Sequence, residues 1–242
     1  MKLLLIFMLL FIAFSARSDN YTVNIVDVLK DEKDTTHLIQ YYTDIYQAVG
    51  ITPSFTFYPS KRGLNMVDKG ELDAEAFRLN VVGNHFSQLV KIDEAIGHLQ
   101  IGYICLAKND CVADDSSVIG VLSSFRGAVD LCAESNIKCH FIKNVNSIAK
   151  KLDTGLVDLI FATDVEAERI ICASKLDSFQ FLPRRSHKLP LFHYVNKRHL
   201  GLKEKLEKSI LDAKNNGKVG ITSSDDKLTN VSCGKNVKVT AS

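Results

Sequence analysis

The chain has 242 residues, of which 46% are hydrophobic and 24% are charged, as in an ordinary globular protein. Its small positive charge comes from the first 18 residues, because without Lys2 and Arg17 the chain has 28 basic and 28 acidic residues. This neutral balance argues against a nucleic-acid-binding protein and against binding to an anionic membrane surface.

The first segment predicts a signal peptide. Lys2 precedes an unbroken apolar run from Leu3 to Phe14, which is too short to span a bilayer. Cleavage after Ser15 or Ser18 fits the small residues nearby, and no Cys follows the run, which argues against a lipid anchor. We therefore expect export to the periplasm of a Gram-negative bacterium, the alternative being an N-terminal membrane anchor.

The first elements after this segment predict a β-α-β-α-β unit. Strands are expected at 22–28, 52–58 and 72–77, separated by helices that end at Gly50 and Gly70. Right-handed crossovers would join the three strands into a small parallel sheet.

A long apolar segment at 98–107 predicts a strand that crosses to a second unit of the same kind. Strands are expected there at 118–122, 139–142 and 157–162. Strands at 179–182 and 191–195 would return the chain, and a last helix would end at Gly217.

A short internal echo supports two similar halves. Residues 66–77 and 151–162 share an apolar helix end, Asp-x-Gly, an apolar residue, Asp and an apolar run. Each predicts a helix, a glycine stop and a buried strand. Two such lobes form a cleft, and clefts bind small molecules.

Six cysteines follow the predicted signal peptide: Cys105, Cys111, Cys132, Cys139, Cys172 and Cys233. An even number in an exported chain favours disulfide bonds. Sequence alone leaves the pairing open, although 105–111 and 132–139 are the easiest closures and would leave 172 with 233. No C-x-x-C motif is present, so neither a metal nor another cofactor is predicted.

The order of elements resembles family-3 extracellular solute-binding proteins, which are bacterial periplasmic binding proteins with the type II fold. The segments that carry the resemblance are Tyr58–Arg62, Lys69–Asp73, Val118–Val121, Thr154–Asp158 and Tyr194–His199. It implies an α/β fold of two lobes, each a small, mostly parallel sheet flanked by helices. The implied boundaries are 1–18 for the signal peptide, 19–104 with 195–242 for lobe 1, and 105–194 for lobe 2.

The resemblance also implies a monomeric binding protein that captures a small polar, carboxylate-bearing solute for an ABC permease or a membrane sensor. A few enzymes share this fold, including dehydratases that act on cyclic carboxylates, and these need a carboxylic acid in the cleft. Glu75 or Asp164 could supply that acid. Because no common catalytic motif is present, binding is favoured over catalysis.

The candidate site in lobe 1 centres on Arg78, directly after the strand predicted at 72–77. Ligands of open α/β sheets lie beyond the carboxyl ends of the strands, and a guanidinium binds a carboxylate through two parallel hydrogen bonds. The alternative is a surface arginine paired with Glu75 or Asp73. Tyr58 and Arg62 flank the end of the preceding strand and could line the rim.

The candidate site in lobe 2 contains Ser123, Ser124 and Asp164. The serines follow the strand at 118–122 and precede a helix, whose first N–H groups would attract an anion, unless one serine only caps the helix. In amino-acid binders of the family, an Asp near the end of the strand predicted here at 157–162 holds the ligand ammonium. Here Thr163 occupies the expected place and Asp164 follows it, so Asp164 is either a ligand contact or a helix cap.

Overall fold

A computed structural model of the chain describes residues 20–30, 34–125, 128–134, 138–218, 220–221 and 228–240. The predicted signal peptide, residues 1–18, lies outside these ranges. Within the described ranges, no helix has both the length and the apolar character needed to cross a membrane.

Strands and helices alternate along the described residues. The strands are β1 Tyr21–Val26, β2 Pro53–Tyr58, β3 Ala74–Leu79, β4 Leu89–Leu106, β5 Ile119–Leu122, β6 Cys139–Ile142, β7 Leu159–Thr163, β8 Ser178–Asn196 and β9 Asn236–Val239. The α-helices are α1 Asp34–Gln47, α2 Ser60–Asp68, α3 Ala128–Glu134, α4 Val145–Asp153, α5 Asp164–Ala173 and α6 Lys203–Asn215. Short 3-10 turns occupy Asp27–Leu29, Asn80–His85 and Lys197–Leu202.

The strands form one sheet in the order β2-β1-β3-β8-β4-β7-β5-β6, with β9 beside β8. β1 pairs in parallel with β2 and β3, and β5 pairs in parallel with β6 and β7. The long antiparallel strands β4 and β8 run between these two units. The predicted α/β fold with two similar halves is therefore confirmed.

The two long strands differ from their predicted form. The crossing strand was expected at 98–107 but begins at Leu89, and the return strands expected at 179–182 and 191–195 are one strand. β4 and β8 pair with each other along most of their length, and this pairing keeps each of them one continuous strand. Apolar patterning did not reveal this continuity, because it depends on a partner strand that is distant in the sequence.

Helices and loops cover the parallel units. In the first unit, α1 and α6 pack on one face through residues such as Tyr42 and Ile210, and α2 packs on the other through Leu64 and Val67. In the second unit, α4 and α5 pack on one face, and the opposite face packs around α3.

The C-terminal tail packs on the second half of the sheet, although the expected boundary assigned 195–242 to lobe 1. Leu228, Val231 and Val237 are buried in one core with Phe179 and Phe181. β9 also pairs in parallel with the first residues of β8. Apolar contacts therefore place 228–240 with the residues predicted as lobe 2, and the other lobe boundaries remain a prediction.

The six cysteines form three disulfide bonds, with the pairing expected from the easiest closures. The bonds join Cys105 to Cys111, Cys132 to Cys139 and Cys172 to Cys233, with Cα–Cα distances of 5.5, 6.3 and 5.6 Å. The third bond attaches the tail to α5, because Cys172 lies in that helix.

The repeated Asp-x-Gly segment makes the same hydrogen bonds in both halves. Asp73 Oδ2 accepts from the Thr22 N–H at 2.7 Å, and Asp158 Oδ2 accepts from the Val118 N–H at 2.9 Å. The glycine of each segment ends its helix in the left-handed region: Gly70 at φ +74° and Gly155 at φ +70°. The repeated segment therefore forms the same structure before β3 and before β7.

Gly63 lets α2 approach β1 closely, and replacing it with Ala should be destabilising. A Cβ at Gly63 would lie 2.1 Å from Asn24 Nδ2 and 3.1 Å from Glu75 Oε2. Because Asn24 is buried and hydrogen-bonded, we expect Gly63→Ala to lower the free energy of unfolding by about 1–3 kcal/mol.

Gly201→Ala is the matched control, since a Cβ there meets no heavy atom within 4 Å. Denaturant unfolding of both variants would measure the difference. Equal stability of the two would show that α2 can move away from β1 without cost.

Candidate ligand-binding site

The carboxyl ends of the parallel strands in the two halves border each other. Leu79, the last residue of β3, packs against the core of the first half and also against a cluster of the second half that contains Tyr103 and Phe125. Ligands of α/β sheets bind outside these strand ends. The boundary between the halves is therefore the candidate site.

A β-bulge in β3 decides which face Arg78 occupies. Glu75 pairs with Tyr194 and Arg78 with Phe192, so β3 advances one residue more than β8 between the two pairs. In a regular strand, residues three apart point to opposite faces. The extra residue places Glu75 and Arg78 on the same face.

His193 lies between Tyr194 and Phe192, the β8 partners of Glu75 and Arg78, and it hydrogen-bonds a backbone carbonyl of the bulge. Its Nδ1–H donates to Ala76 O at 3.0 Å, and its Nε2 accepts from the Tyr46 hydroxyl at 2.6 Å. The Tyr42 hydroxyl donates to the same Ala76 carbonyl. Burial lowers the pKa of His193 to about 4, so the ring is neutral, as these two hydrogen bonds require.

Arg78 is one half of a buried ion pair. Its Nη2 lies 2.5 Å from Glu75 Oε1, and the two side chains are only 10% and 0% exposed. Its Nη1 also donates to Phe77 O at 3.2 Å. The expectation that Arg78 follows the strand is wrong, because β3 continues to Leu79. The alternative pairing with Glu75 is present, but the pair is buried and does not lie at the surface. The role of Arg78 in ligand binding stays a prediction.

Neighbouring groups hold Glu75 in place. Asn24 Nδ2 donates to Glu75 Oε2 at 2.9 Å, and the Tyr58 N–H donates to Asn24 Oδ1 at 3.0 Å. Burial raises the pKa of Glu75 to about 7, while Arg78 and the Asn24 hydrogen bond act in the opposite direction. Near neutral pH, this carboxyl group is therefore present in both its charged and its neutral form.

Tyr58 and Arg62 lie side by side where β2 ends and α2 begins. The guanidinium carbon of Arg62 lies 4.8 Å from the centre of the Tyr58 ring. Arg62 is exposed and Tyr58 is half-buried. This cation–π contact gives the rim a positive group on a fixed aromatic support, and a ligand contact by either residue stays a prediction.

Ser123 and Ser124 follow β5 and are exposed. The Ser123 N–H donates to Ile142 O at 2.9 Å, which continues the pairing of β5 with β6. α3 begins only at Ala128, so the expectation of a helix start or a helix cap at the serines is wrong. Ligand contact by these two residues stays a prediction.

Thr163, and not Asp164, caps α5. Thr163 Oγ1 accepts from the Glu166 N–H at 3.2 Å, and the Glu166 carboxylate accepts from the Thr163 N–H at 3.2 Å. Asp164 is the first residue of the helix and is 2% exposed, and its Oδ1 accepts from the Val165 N–H at 3.0 Å. The capping role considered for Asp164 is therefore wrong, and its ligand role stays a prediction.

A further titratable group, Glu166, lies in the first turn of α5. Burial raises the pKa of Glu166 to about 7, against the effect of its hydrogen bonds with Thr163. The parallel pairing of Gly120 with Ile160 brings the end of β5, and so Ser123, level with Thr163. The Ser123 position therefore lies at the same edge of the sheet as the start of α5.

Three polar residues of the long strands β4 and β8 interact near the end of β7, and the sequence analysis singled out none of them: Gln100, Tyr103 and Arg184. Gln100 Nε2 donates to Arg184 O at 3.0 Å, and the Tyr103 hydroxyl is hydrogen-bonded to the Arg184 side chain. Ile101, beside Gln100, pairs with Thr163 at the end of β7. Gln100 inside the apolar segment 98–107 was a signal that the sequence offered.

Two of the segments that carry the family resemblance bind each other at the amino end of β3. Asp73 Oδ1 lies 2.5 Å from Arg198 Nη2 and 2.6 Å from His199 Nε2. Asn196 Nδ2 donates to a carbonyl of α2 at 2.6 Å. These contacts fasten the turn after β8 to the first half and are structural.

Comparison with solved structures identifies the fold. The VFT2 domain of BvgS from Bordetella pertussis, as a double mutant, has a TM-score of 0.64 at 12% identity, over 85% of this chain and 95% of that one. YtmK from Bacillus subtilis, a probable amino-acid ABC transporter extracellular-binding protein, has 0.65 at 11% identity, over 82% and 94%. The GluR0 ligand-binding core in complex with L-glutamate has 0.63 at 10% identity, over 81% and 93%.

The fold is thus the two-lobed α/β fold of periplasmic binding proteins, in agreement with the resemblance seen in the sequence. The scan against protein-family models matches none of them, and the search of curated proteins also finds no match. At 10–12% identity the structural likeness establishes the fold, and function has to be argued from the site.

Proposed function

We propose that the protein is a periplasmic solute-binding protein that captures a small polar, carboxylate-bearing solute between its two halves. The observation that carries the proposal is the contact of Leu79, the last residue of β3, with an apolar cluster of the second half, which supports a site between the strand ends of the two halves. Arg62 is an exposed cation of the first half, Arg78 is a buried arginine paired with Glu75, and Ser123 and Ser124 carry exposed hydroxyls in the second half. A solute that contacts both halves would favour the closed arrangement, because the open one offers contacts from one half only.

The names of similar structures agree with this proposal. They include a probable amino-acid ABC transporter binding protein, an ancestral arginine-binding protein bound to glutamine and a histidine kinase sensor domain. Uptake and sensing use the same solute site, so the partner is either an ABC permease or a membrane sensor. Affinity capture from solubilised membranes distinguishes these two partners.

Binding is preferred to catalysis because of the state of the candidate acids. Glu75 is fully buried and paired with Arg78, and Asp164 is 2% exposed. A general acid must reach the proton-accepting atom of its substrate through a hydrogen bond or one water. Both carboxyl groups are already held by contacts within the protein, Glu75 by Arg78 and Asn24, and Asp164 by the Val165 N–H, so we expect a bound solute to be recovered unchanged.

The proposal predicts ligand-dependent stabilisation. In a thermal-shift screen of small carboxylates, amides and amino acids, a true ligand at a hundredfold excess over Kd should stabilise the protein by about 2.7 kcal/mol. Ser124→Trp should reduce the affinity more than tenfold by filling the strand-end edge, while leaving the ligand-free melting temperature nearly unchanged, because Ser124 is exposed.

Ser116→Trp is the matched control, since Ser116 is also exposed but precedes β5 and so lies at its opposite end. Calorimetric titration of both variants with the confirmed ligand measures the effect. Equal affinity of the two variants would place the site elsewhere on the molecule.

A further inference from the structure

The guanidinium of Arg78 already has a carboxylate partner in the protein. Glu75 Oε1 lies 2.5 Å from Nη2, and both side chains are at least nine-tenths buried. Glu75 thus makes with Arg78 the same kind of charge-assisted contact that the carboxylate of an anionic solute would make. Because of this ion pair, the first half has no net positive charge at Arg78, the residue predicted to bind the carboxylate of the solute.

Glu75 cannot turn away from Arg78 without cost. Asn24 holds its second oxygen at 2.9 Å, and a Cβ at Gly63 of α2 would lie 3.1 Å from that oxygen. On the opposite side, His193 and Tyr42 bind the bulge that places Glu75 and Arg78 on one face. A solute carboxylate must then compete with a partner that is fixed in position.

We propose that Glu75 is a specificity-determining residue that competes with the solute carboxylate for Arg78, and that it takes up a proton on Oε1 when such a solute binds. This inference rests on the proposed function. The entering carboxylate brings one negative charge, and the proton taken from solvent removes one, so the charge beside Arg78 is unchanged. Amide analogues would bind without this exchange.

The surroundings of Glu75 fit such an exchange. Arg78 on its own strand is the charged group that contacts it, while Tyr42 of α1 and His193 of β8 are the titratable groups nearby. Burial keeps His193 neutral and raises the pKa of Tyr42, so neither supplies the proton near neutral pH. The raised pKa of Glu75, about 7, makes its protonation accessible.

The test uses isosteric acid and amide pairs: acetate with acetamide, succinate with succinamide, and L-glutamate with L-glutamine. Calorimetry at pH 8 in buffers of different ionisation enthalpy counts the protons taken up. We expect the wild type to take up about one proton with each acid that binds and none with its amide, and to bind the acids about tenfold or more tightly at pH 5.5 than at pH 8.

Glu75→Gln should bind the acids about ten- to hundredfold more tightly than the wild type at pH 8, with no proton uptake and no dependence on pH. Glu71→Gln, which removes an exposed carboxylate at the other end of β3, is the control and should behave like the wild type. If Glu75→Gln does not fold, the proton uptake by the wild type decides the question.

Two results would overturn the inference. One is an acid that binds the wild type without proton uptake, and the other is an unchanged acid-to-amide ratio in Glu75→Gln. Binding of an acid by the wild type combined with either result would leave the proposed function intact, because a carboxylate-bearing solute would still be captured. Failure of both proteins to bind any member of the panel would contradict the inference and count against the proposed function as well.

Discussion

Replacing Arg78 with Ala should lower the free energy of unfolding by about 3–5 kcal/mol at pH 8, because it leaves the Glu75 carboxylate buried without its cation. If Arg78 were an exposed ligand-binding residue, its replacement would change the stability of the ligand-free protein little. The ion pair overturns that expectation, since both partners are largely removed from water. Urea unfolding at constant ionic strength is the appropriate measurement.

The cost of Arg78→Ala should fall as the pH is lowered. Burial raises the pKa of Glu75 from 4.5 to about 7 even with Arg78 present, and loss of the cation would raise it further. A carboxyl group with a raised folded-state pKa contributes stability that is full below pH 4.5 and is lost as the pH rises through the folded pKa. The variant should therefore come closest to the wild type near pH 5.

Arg62→Ala is the control for this prediction, because Arg62 is exposed and its cation–π contact contributes about 0.5–1 kcal/mol. The double variant Glu75→Gln/Arg78→Met should recover most of the lost stability, since it leaves no charge in the buried position. A cost of Arg78→Ala that is small and equal at pH 5 and pH 8 would show that Glu75 reaches water in the folded protein.

Removing the disulfide bond between Cys172 and Cys233 should cost about 4 kcal/mol, because it closes a long loop. The two cysteines are 61 residues apart, and the bond fastens the tail that supplies Leu228, Val231 and Val237 to the second core. We expect Cys172→Ala/Cys233→Ala to unfold at lower denaturant concentration and to expose 228–240 to proteolysis first.

The control is Cys105→Ala/Cys111→Ala, whose separation of 6 residues predicts a loss of about 2 kcal/mol from loop closure alone. Cys105 and Cys111 are buried, whereas Cys172 is half-buried and Cys233 is exposed, so loss of packing adds to the cost of the control and protection of the tail is the deciding measurement. Equal losses in the two double variants, with the tail still protected from protease, would show that packing of the tail does not depend on the bond.

Local sequence patterns determined much of the fold. Apolar periodicity predicted the parallel strands, and glycines such as Gly70 and Gly155 marked the ends of helices, because only a residue without a side chain adopts positive φ readily. The Asp-x-Gly echo predicted two similar halves, and the structure gives Asp73 and Asp158 the same hydrogen bonds. These signals are local, so one sequence suffices to see them.

The state of the candidate site was decided by tertiary structure. Residues three apart in a regular strand point to opposite faces, so the sequence offered a pair of Arg78 with Glu75 only as an alternative, and at the surface. The bulge that brings them together depends on His193, which is more than a hundred positions away and is placed by the pairing of β3 with β8. Sequence therefore predicted which residue types lie at the strand ends, while the pairing of distant strands decided that the arginine is buried and neutralised.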